Sequence, residues 1–204
     1  MVTFTELTSA AGTWKVHLSM TLDVKPLAIR DVKLIRPQKF GDARGFFSET
    51  YNRKLFSDAG IDLEFVQDNH SLSRSIGTLR GLHYQSPPFA QDKLVRVVSG
   101  RIFDVAVDLR RAASSFGTWT SATISAGDWN QIFVPIGFAH GFCTLEPDTE
   151  VIYKVTNYYS AQHDLGIRWN DPDLKIAWPV PEDQVQLSDK DSKQPYFRDI
   201  AGVF

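Results

Sequence analysis

The sequence predicts a mainly β protein, built as a sandwich or barrel of short strands with few helices. The clearest strand spans residues 102–109, where apolar residues alternate with Asp104 and Asp108. A period of two is typical of a strand with one buried and one exposed face. Turn-forming residues at 126–128 and 135–137 divide the following chain into further short segments of the same kind.

Further strands are predicted from the apolar runs between such turns, at residues 93–98, 118–125, 131–134, 139–145 and 150–157. Ser99 and Gly100 separate the first of these runs from the strand at 102–109, and they predict a hairpin turn. One short helix is predicted over residues 52–59, with Asn52 as its N-cap and Gly60 just past its end.

Length and composition favour a single globular domain. The chain has 204 residues, of which 43% are hydrophobic and 23% are charged, so it can bury a core and is unlike a disordered chain. Its 22 basic and 24 acidic residues give a formal net charge of −2, which argues against a general binder of nucleic acid or anionic membranes. The single cysteine, Cys143, excludes an intrachain disulfide and any CxxC motif. No apolar run approaches the roughly 20 residues of a membrane helix.

The start of the chain differs in character from the rest. Residues 1–25 are rich in Ser and Thr with little periodicity, which predicts a loosely structured N-terminal extension. Lys15 and His17 interrupt its only apolar stretch, so no signal peptide is predicted and a cytoplasmic location is expected. Residues 26–204 are expected to form the single domain, and after residue 179 the chain turns polar, as a surface tail would.

Two of the five histidines, His83 and His140, lie in apolar strand sequence, where a histidine is most often packed and hydrogen-bonded. The run PIGFAH at residues 135–140 resembles the second motif of the cupins. That resemblance implies a cupin-type double-stranded β-helix, a jelly-roll barrel with a few short helices. Metal-binding cupins supply His-x-His and then Glu from their first motif, whereas this chain has HYQ at residues 83–85 and no Glu in the next dozen residues. Two imidazoles alone do not complete a four-ligand shell, so no metal site is predicted.

A longer series of motifs covers most of the chain in order. They are GDARGFFSE (residues 41–49), FVQDNHS (65–71), LRGLHYQ (79–85), QDKLVR (91–96), FDVAVDLR (103–110), GFAHGF (137–142), YKVTNYY (153–159), WNDP (169–172) and LSDKD (187–191). Each motif is weak alone, but the ordered set, from about residue 35 to residue 195, resembles the dTDP-4-dehydrorhamnose 3,5-epimerase family.

The resemblance implies a cofactor-free isomerase that inverts C3 and C5 of dTDP-4-dehydro-6-deoxy-D-glucose and so gives dTDP-4-dehydro-L-rhamnose. Both carbons flank the C4 ketone, so loss of either proton gives an enolate, and return of a proton to the other face inverts the centre. The family pattern assigns His83 as the base, with Asp191 as its carboxylate partner, and Tyr153 as the acid. It assigns Lys93 to the developing enolate oxygen.

Substrate contacts are implied by the same resemblance. The positions that match family contacts to the nucleotide, diphosphate or sugar are Arg44, Glu49, Gln67, Asn69, Arg80, His140, Tyr159 and Lys190. Tyr159 is expected to stack on thymine. The chain has no glycine-rich phosphate loop, so side chains are expected to hold the diphosphate. In the family the segment with Arg44 and Glu49 crosses to the neighbouring subunit, which implies a homodimer with shared sites.

Several alternatives stay open on the sequence alone. They are a related epimerase that inverts only one centre of a dTDP-4-keto-deoxysugar, a metal-dependent cupin oxygenase or isomerase, and a sugar-nucleotide binding module without catalysis. Strict alternation also puts Arg80 and His83 on opposite faces of one strand, unless a bulge or bend at Gly81 reconciles them. The family often has a glutamate after the tyrosine pair, where this chain has the shorter Asp164.

Overall fold

Two antiparallel β-sheets face each other and enclose a jelly-roll barrel over residues 21–200 of the computed structural model, which also describes Gly202 and Phe204. This architecture confirms the predicted mainly β, cupin-type fold. Most of the predicted N-terminal extension, residues 1–20, lies outside the described residues. Residues 22–25 differ from that prediction, because they form a strand that pairs with residues 34–37 at the edge of one sheet.

The strands are numbered in chain order. The six-stranded sheet contains, in spatial order, β1 (Leu22–Pro26), β2 (Lys33–Pro37), β10 (Gln131–Val134), β7 (Lys93–Ser99), β12 (Thr149–Val155) and β5 (Gln67–Ser73). The five-stranded sheet contains β13 (Asp164–Gly166), β6 (Leu79–Gln85), β11 (Phe138–Thr144), β8 (Arg101–Asp108) and β9 (Trp119–Ser125). A separate hairpin consists of β3 (Phe40–Asp42) and β4 (Gly45–Phe47). The strands that the sequence predicted are therefore confirmed, with ends that differ by one or two residues.

Helical structure in the described part of the chain is limited to short pieces. The predicted helix is confirmed as α1 (Arg53–Asp58), and the Asn52 side chain caps it by accepting a hydrogen bond from the Leu55 N–H. Three 3-10 turns follow the last strand, at Glu182–Gln184, Asp191–Lys193 and Phe197–Asp199. Among the described residues, no helix has the length and apolar character needed to cross a bilayer.

The turn at Ser99 and Gly100 connects the two sheets, and the predicted hairpin there is wrong. Strand β7 pairs with β10 and β12, whereas β8 pairs with β11 and β9. Gly100 has a φ of +80°, and a Cβ at this position would lie 2.3 Å from the Thr149 hydroxyl oxygen. The local sequence marks where the chain reverses, but it does not specify the strand that becomes the neighbour, which depends on long-range pairing.

The main hydrophobic core fills the space between the sheets. Val95 and Val97 of β7 pack there against Ile102 and Ala106 of β8 and Phe138 of β11. These contacts identify the inner face of each strand, because side chains two residues apart point to the same side of a sheet. Positions that are paired across strands share that face, so the inner face of the whole barrel can be traced from the register.

Strand β8 is buried on both faces, which corrects the expectation that one face would be exposed. Its outer residues, including Val105 and Val107, are covered by the C-terminal segment, in which Leu174 and Phe197 pack onto them. The segment after residue 179 is therefore packed against the barrel, and it is not the surface tail that its polarity suggested. Residues such as Asp104, on the other side of β8, face the closed interior of the barrel.

Substituting Gly100 should test the connection between the sheets. Gly100→Ala places a Cβ against Thr149, whose hydroxyl is held by the Glu146 carbonyl, and it requires a positive φ from alanine. We expect it to lower the free energy of unfolding by about 1–3 kcal/mol in urea denaturation. Gly127→Ala is the matched control, because its Cβ would meet only the Ser125 hydroxyl oxygen at 3.9 Å. Equal stability of the two variants would contradict this account of the turn.

Candidate active site

Polar side chains interrupt the hydrophobic lining of the barrel on both sheets. On β7, Lys93 shares the inner face with Val95, and on β12 Tyr153 lies opposite Val95 in the register. On the other sheet, His83 of β6 lies directly opposite His140 of β11. The pairing therefore gathers residues from distant motifs onto one enclosed surface, as the resemblance implied.

His83 and Asp191 form a close pair across the edge of the barrel. The His83 Nε2 atom lies 2.5 Å from Oδ1 of Asp191, which is only 3% exposed. Asp191 opens the 3-10 turn Asp191–Lys193, and its other oxygen, Oδ2, accepts a hydrogen bond of 2.8 Å from the Ser188 hydroxyl. The sequence could not pair residues 108 positions apart without the family resemblance, and the structure now places them in contact.

The environment of Asp191 keeps its carboxylate ionised. Burial alone raises the pKa of Asp191, but the hydrogen bond and charge of His83, the Ser188 hydroxyl and the charge of Lys190 together hold it below its usual value. An ionised carboxylate only accepts hydrogen bonds, so the His83 Nε2 atom carries the hydrogen. In the neutral imidazole, Nδ1 is then the basic atom.

Arg80 joins the inner face through an irregularity in β6. The register pairs His83 with His140 and Arg80 with Phe142, so the three steps from 80 to 83 oppose only two steps on β11. This confirms the predicted bulge or bend at Gly81, which has a φ of +133° and whose Cβ would lie 2.5 Å from the Cα of Gly141. The Arg80 guanidinium donates to the Ser73 hydroxyl and to the Leu72 carbonyl, each at 3.2 Å.

Lys93 brings a desolvated ammonium group next to the His83 strand. Its Nζ atom donates to the His83 carbonyl oxygen at 3.5 Å. Burial lowers the pKa of Lys93 to about 8, although the charges of Asp164 and Asp104 oppose the shift. The ammonium therefore remains protonated at neutral pH, and it is held in an environment where its charge acts strongly on nearby groups.

Tyr153 presents a protonated phenol to the same surface. Burial raises the pKa of Tyr153, with the positive charge of Arg80 opposing the shift and the negative charge of Asp164 adding to it. Its ring packs against the main core, while its position on β12 is paired with Asn69 of β5. The phenol is thus available as a proton donor over the physiological pH range.

A second imidazole–carboxylate pair lies inside the barrel. The Nε2 atom of His140 lies 2.9 and 3.0 Å from the two carboxylate oxygens of Asp104, which has no exposed surface. Sequence reasoning missed Asp104, because its alternation with apolar residues on β8 suggested a solvent-facing side chain. The available signal was a carboxylate within an otherwise apolar strand of a predicted barrel, because the polar face of such a strand can line the barrel interior.

At the rim of the site, one carboxylate, that of Asp164, binds two of the other expected binding residues, and two more are linked to them by hydrogen bonds. Asp164 Oδ2 accepts a hydrogen bond of 3.0 Å from the Tyr159 hydroxyl and also binds the Lys190 ammonium. Gln67 accepts a hydrogen bond of 3.1 Å from the Tyr159 N–H and donates one of 2.8 Å to Asn69. The shorter Asp164 side chain therefore does reach the tyrosine pair.

Two further side chains near the site were not singled out from the sequence. Ser188 belongs to the LSDKD motif, but no role was predicted for it. Its spacing of three residues from Asp191 is the local feature that could have indicated a contact between the two side chains. Ser71 lies on the inner-facing row of β5 between Asn69 and Ser73, and its hydroxyl oxygen is buried without a hydrogen-bond partner among the described residues.

Arg44 and Glu49 are not brought to this surface within one chain. Arg44 stands at the tip of the β3–β4 hairpin, where its side chain is 90% exposed and pairs with Asp42 at 2.6 Å. Glu49 accepts a hydrogen bond of 2.9 Å from the Asn52 side chain at the start of α1. Their role in binding stays a prediction.

Metal-ligating side chains are not clustered in the part of the chain that the structure describes. Among residues 21–200, 202 and 204, no three His, Cys, Asp or Glu side chains are placed to share one ion. The two histidines of the cupin-like motifs each face a carboxylate instead, in separate pairs.

Comparison with known proteins identifies relatives along nearly the whole domain. The sequence profile of the family dTDP-4-dehydrorhamnose 3,5-epimerase matches residues 26–199. The dTDP-4-dehydrorhamnose 3,5-epimerase of Sinorhizobium fredii is 55% identical over 169 residues, which cover 83% of this chain and 86% of that protein.

Solved structures agree with this match. The dTDP-4-dehydrorhamnose 3,5-epimerase of Bacillus anthracis, with TDP and PPi bound, superposes with a TM-score of 0.83 at 50% identity, over 86% of this chain and 99% of that one. The dTDP-6-deoxy-D-glucose-3,5-epimerase of Legionella pneumophila, in complex with dTDP-4-keto-L-rhamnose, superposes with a TM-score of 0.84 at 42% identity. The match covers 88% of this chain and 95% of that one. With sequence profile, relatives and fold in agreement, the chain belongs to the dTDP-4-dehydrorhamnose 3,5-epimerase family.

Proposed function

We propose that this protein inverts C3 and C5 of dTDP-4-dehydro-6-deoxy-D-glucose, giving dTDP-4-dehydro-L-rhamnose, without a metal or organic cofactor. The observation that carries the proposal is the contact between His83 and the buried Asp191 on the surface that also holds Lys93 and Tyr153. Such a set supplies a base, an acid and a cation, which are the groups that an inversion next to a ketone requires.

In the proposed reaction, His83 removes the proton from the carbon next to the C4 ketone. Its Nδ1 atom is the free basic position, since Nε2 faces Asp191. The ionised Asp191 holds the ring in this tautomer and stabilises the imidazolium that forms, as carboxylates do in other His–Asp pairs.

The electrons released from the C–H bond move to the C4 oxygen and form an enolate. The Lys93 ammonium, in a site where burial lowers its pKa to about 8, stabilises that negative charge. Tyr153 then donates the phenol proton to the carbon from the face opposite His83, the enolate electrons form the new C–H bond as the C4 ketone is restored, and the centre is inverted. The imidazolium loses its proton to solvent and the phenolate regains one from solvent, so that both groups can act at the second carbon. The raised pKa of Tyr153 keeps the phenol protonated until that step.

The rim residues are proposed to hold the nucleotide and the diphosphate. Tyr159 is exposed and tied to Asp164, so its ring can stack on thymine, and Arg80 and Lys190 offer positive charge to the diphosphate. Gln67, Asn69 and His140 complete the proposed polar contacts. The ligands of the Bacillus and Legionella relatives, TDP and dTDP-4-keto-L-rhamnose, support a sugar nucleotide of this class.

The active form is proposed to be a homodimer, in which Arg44 and Glu49 serve the neighbouring site. The β3–β4 hairpin that carries Arg44 pairs with neither barrel sheet, and its Phe46 and Phe47 are both exposed. Two exposed aromatic rings beside an exposed arginine make a surface suited to a protein partner.

The proposed function is tested by incubating the protein with dTDP-4-dehydro-6-deoxy-D-glucose in heavy water. We expect deuterium at both C3 and C5 and formation of dTDP-4-dehydro-L-rhamnose, followed by NMR. Exchange at a single carbon would indicate the alternative of a single-centre epimerase. Exchange at neither carbon would end the proposal. Elemental analysis of the active protein, with no stoichiometric transition metal expected, distinguishes the metal-dependent cupin alternative.

Two substitutions separate the base from the acid. His83→Ala should lower turnover by at least about 100-fold, the lower range for loss of a general base, while dTDP affinity is kept. Tyr153→Phe should retain proton exchange but give poor inversion, because the base still works and the donor on the opposite face is gone. If both variants lose exchange and inversion equally, the assignment of the two faces is wrong.

The Lys93 ammonium predicts a basic limit to activity. Its folded-state pKa of about 8 lies below the ordinary value, so the charged form is lost as the pH rises through 8. We expect kcat/KM, which reports the free enzyme, to fall on the basic side with a midpoint near that pH. Lys93→Arg should be less active, but its kcat/KM should not fall near pH 8, since a guanidinium stays protonated up to a pH of about 12. If kcat/KM of Lys93→Arg still falls near pH 8, the fall belongs to another group.

Shared sites predict that two inactive variants restore activity when mixed. In a heterodimer of His83→Ala and Arg44→Ala, one barrel keeps its own His83 and receives Arg44 from the other chain. We expect co-expressed, differently tagged chains to recover up to half of the native activity per heterodimer, while each homodimer remains impaired. Failure to recover activity in purified heterodimers would place Arg44 with its own barrel.

A further inference from the structure

We propose that Ser188 is a positioning residue for the base, acting through Asp191, and this rests on the proposed function of the His83–Asp191 pair. Nothing in the family comparison assigns a role to this serine. Its hydroxyl makes the contact with Oδ2 of Asp191 that His83 does not make.

The contact between Ser188 and Asp191 is reciprocal. The Ser188 hydroxyl donates to Oδ2 of Asp191 at 2.8 Å, and its oxygen accepts from the Asp191 N–H at 3.1 Å. The carbonyl of Ser188 also accepts from the Ser192 N–H at 3.0 Å. Ser188 therefore holds the side chain and the backbone of the turn Asp191–Lys193 together.

Fixing both oxygens matters because the carboxylate of an aspartate rotates through a broad, two-fold energy profile. With Oδ1 bound by His83 alone, the plane of the group would follow the imidazole. With Oδ2 bound by Ser188, the plane is set by the turn, and the imidazole must follow it. The hydroxyl thereby fixes the ring orientation and the Nε2–H tautomer on which the basic Nδ1 atom depends.

The turn itself has other attachments that do not involve this hydroxyl. Lys190 is bound to Asp164 of β13, and the Pro195 carbonyl accepts from the Arg168 N–H at 2.8 Å. Ser188 is exposed, so its hydroxyl contributes little to the core. Removing the hydroxyl should therefore leave the fold and the docked turn in place, while the Asp191 carboxylate gains freedom to rotate.

The test compares Ser188→Ala with Ser188→Thr, which retains a hydroxyl. We expect Ser188→Ala to lower kcat about tenfold, the size of one hydrogen bond to a charged group, with KM changed less than about twofold. Ser188→Thr should recover most of kcat. The matched control is Ser192→Ala, which removes a serine hydroxyl that donates to the Asp189 carbonyl in the same turn and should leave kcat unchanged.

A double-mutant cycle asks whether the effect passes through Asp191. In an Asp191→Asn background, Ser188→Ala should change the rate of proton exchange less than about twofold, since coupled residues are not additive. A further tenfold loss in that background, or equal losses for Ser188→Ala and Ser192→Ala, would overturn the proposal and leave Ser188 as a structural residue of the turn.

A substrate-free readout separates this proposal from the proposed function. In ¹⁵N spectra of the imidazoles at neutral pH, wild-type His83 should show one Nε2–H tautomer, and Ser188→Ala should show a mixture. An inactive wild-type protein with this tautomer change would refute the proposed function alone. An active wild-type protein whose His83 spectrum and kcat do not respond to Ser188→Ala would refute the role of Ser188 alone.

Discussion

The hydrogen bond between His83 and the buried Asp191 carboxylate is the interaction on which the rest of the site depends. A buried carboxylate is tolerated only where donors replace its hydration, and here an imidazole and a hydroxyl do so. The C-terminal segment must pack against the barrel for this bond to exist, and residues such as Phe197 achieve that over β8. The same segment therefore covers one face of the five-stranded sheet and brings the carboxylate to His83.

Burial disfavours the charged form of any ionisable side chain, and hydrogen bonds or opposite charges nearby offset this cost to different extents. Burial lowers the pKa of Lys93 to about 8, because the neighbouring carboxylates only partly compensate for lost hydration. Asp104, which has no exposed surface, instead has the His140 imidazole against both oxygens. The site thus contains an ammonium whose charge is only partly compensated, beside two carboxylates that are each paired with an imidazole, and a negative charge that develops near that ammonium is stabilised.

Local patterns predicted the strands and the α1 helix with its Asn52 cap, because each depends on residues close together in the chain. The irregularity at Gly81 was expected only because the family resemblance places both Arg80 and His83 in the site. The partner of β7 could not be predicted, since turn chemistry at Gly100 does not choose between two sheets. Asp104 was misplaced for a related reason: alternation shows that a strand has two faces, but it does not show that the polar face lines the barrel interior while the C-terminal segment covers the apolar face. The pairing of His83 with Asp191 required the family resemblance, because no local rule links such distant residues.

The Asp164 carboxylate keeps the Lys190 ammonium away from the neighbouring Asp191 carboxylate. Lys190 directly precedes Asp191, and an ammonium next to a carboxylate would ordinarily compete with an imidazole for its oxygens. Here Asp164 binds the Lys190 ammonium, so the hydrogen bonds that Asp191 accepts through its side chain come from His83 and Ser188. The same Asp164 oxygen holds the Tyr159 hydroxyl, so one carboxylate places an aromatic ring and a cation side by side at the rim. In the proposed function, a diphosphate that binds Lys190 competes with Asp164 for the ammonium, while the contact between His83 and Asp191 is left in place.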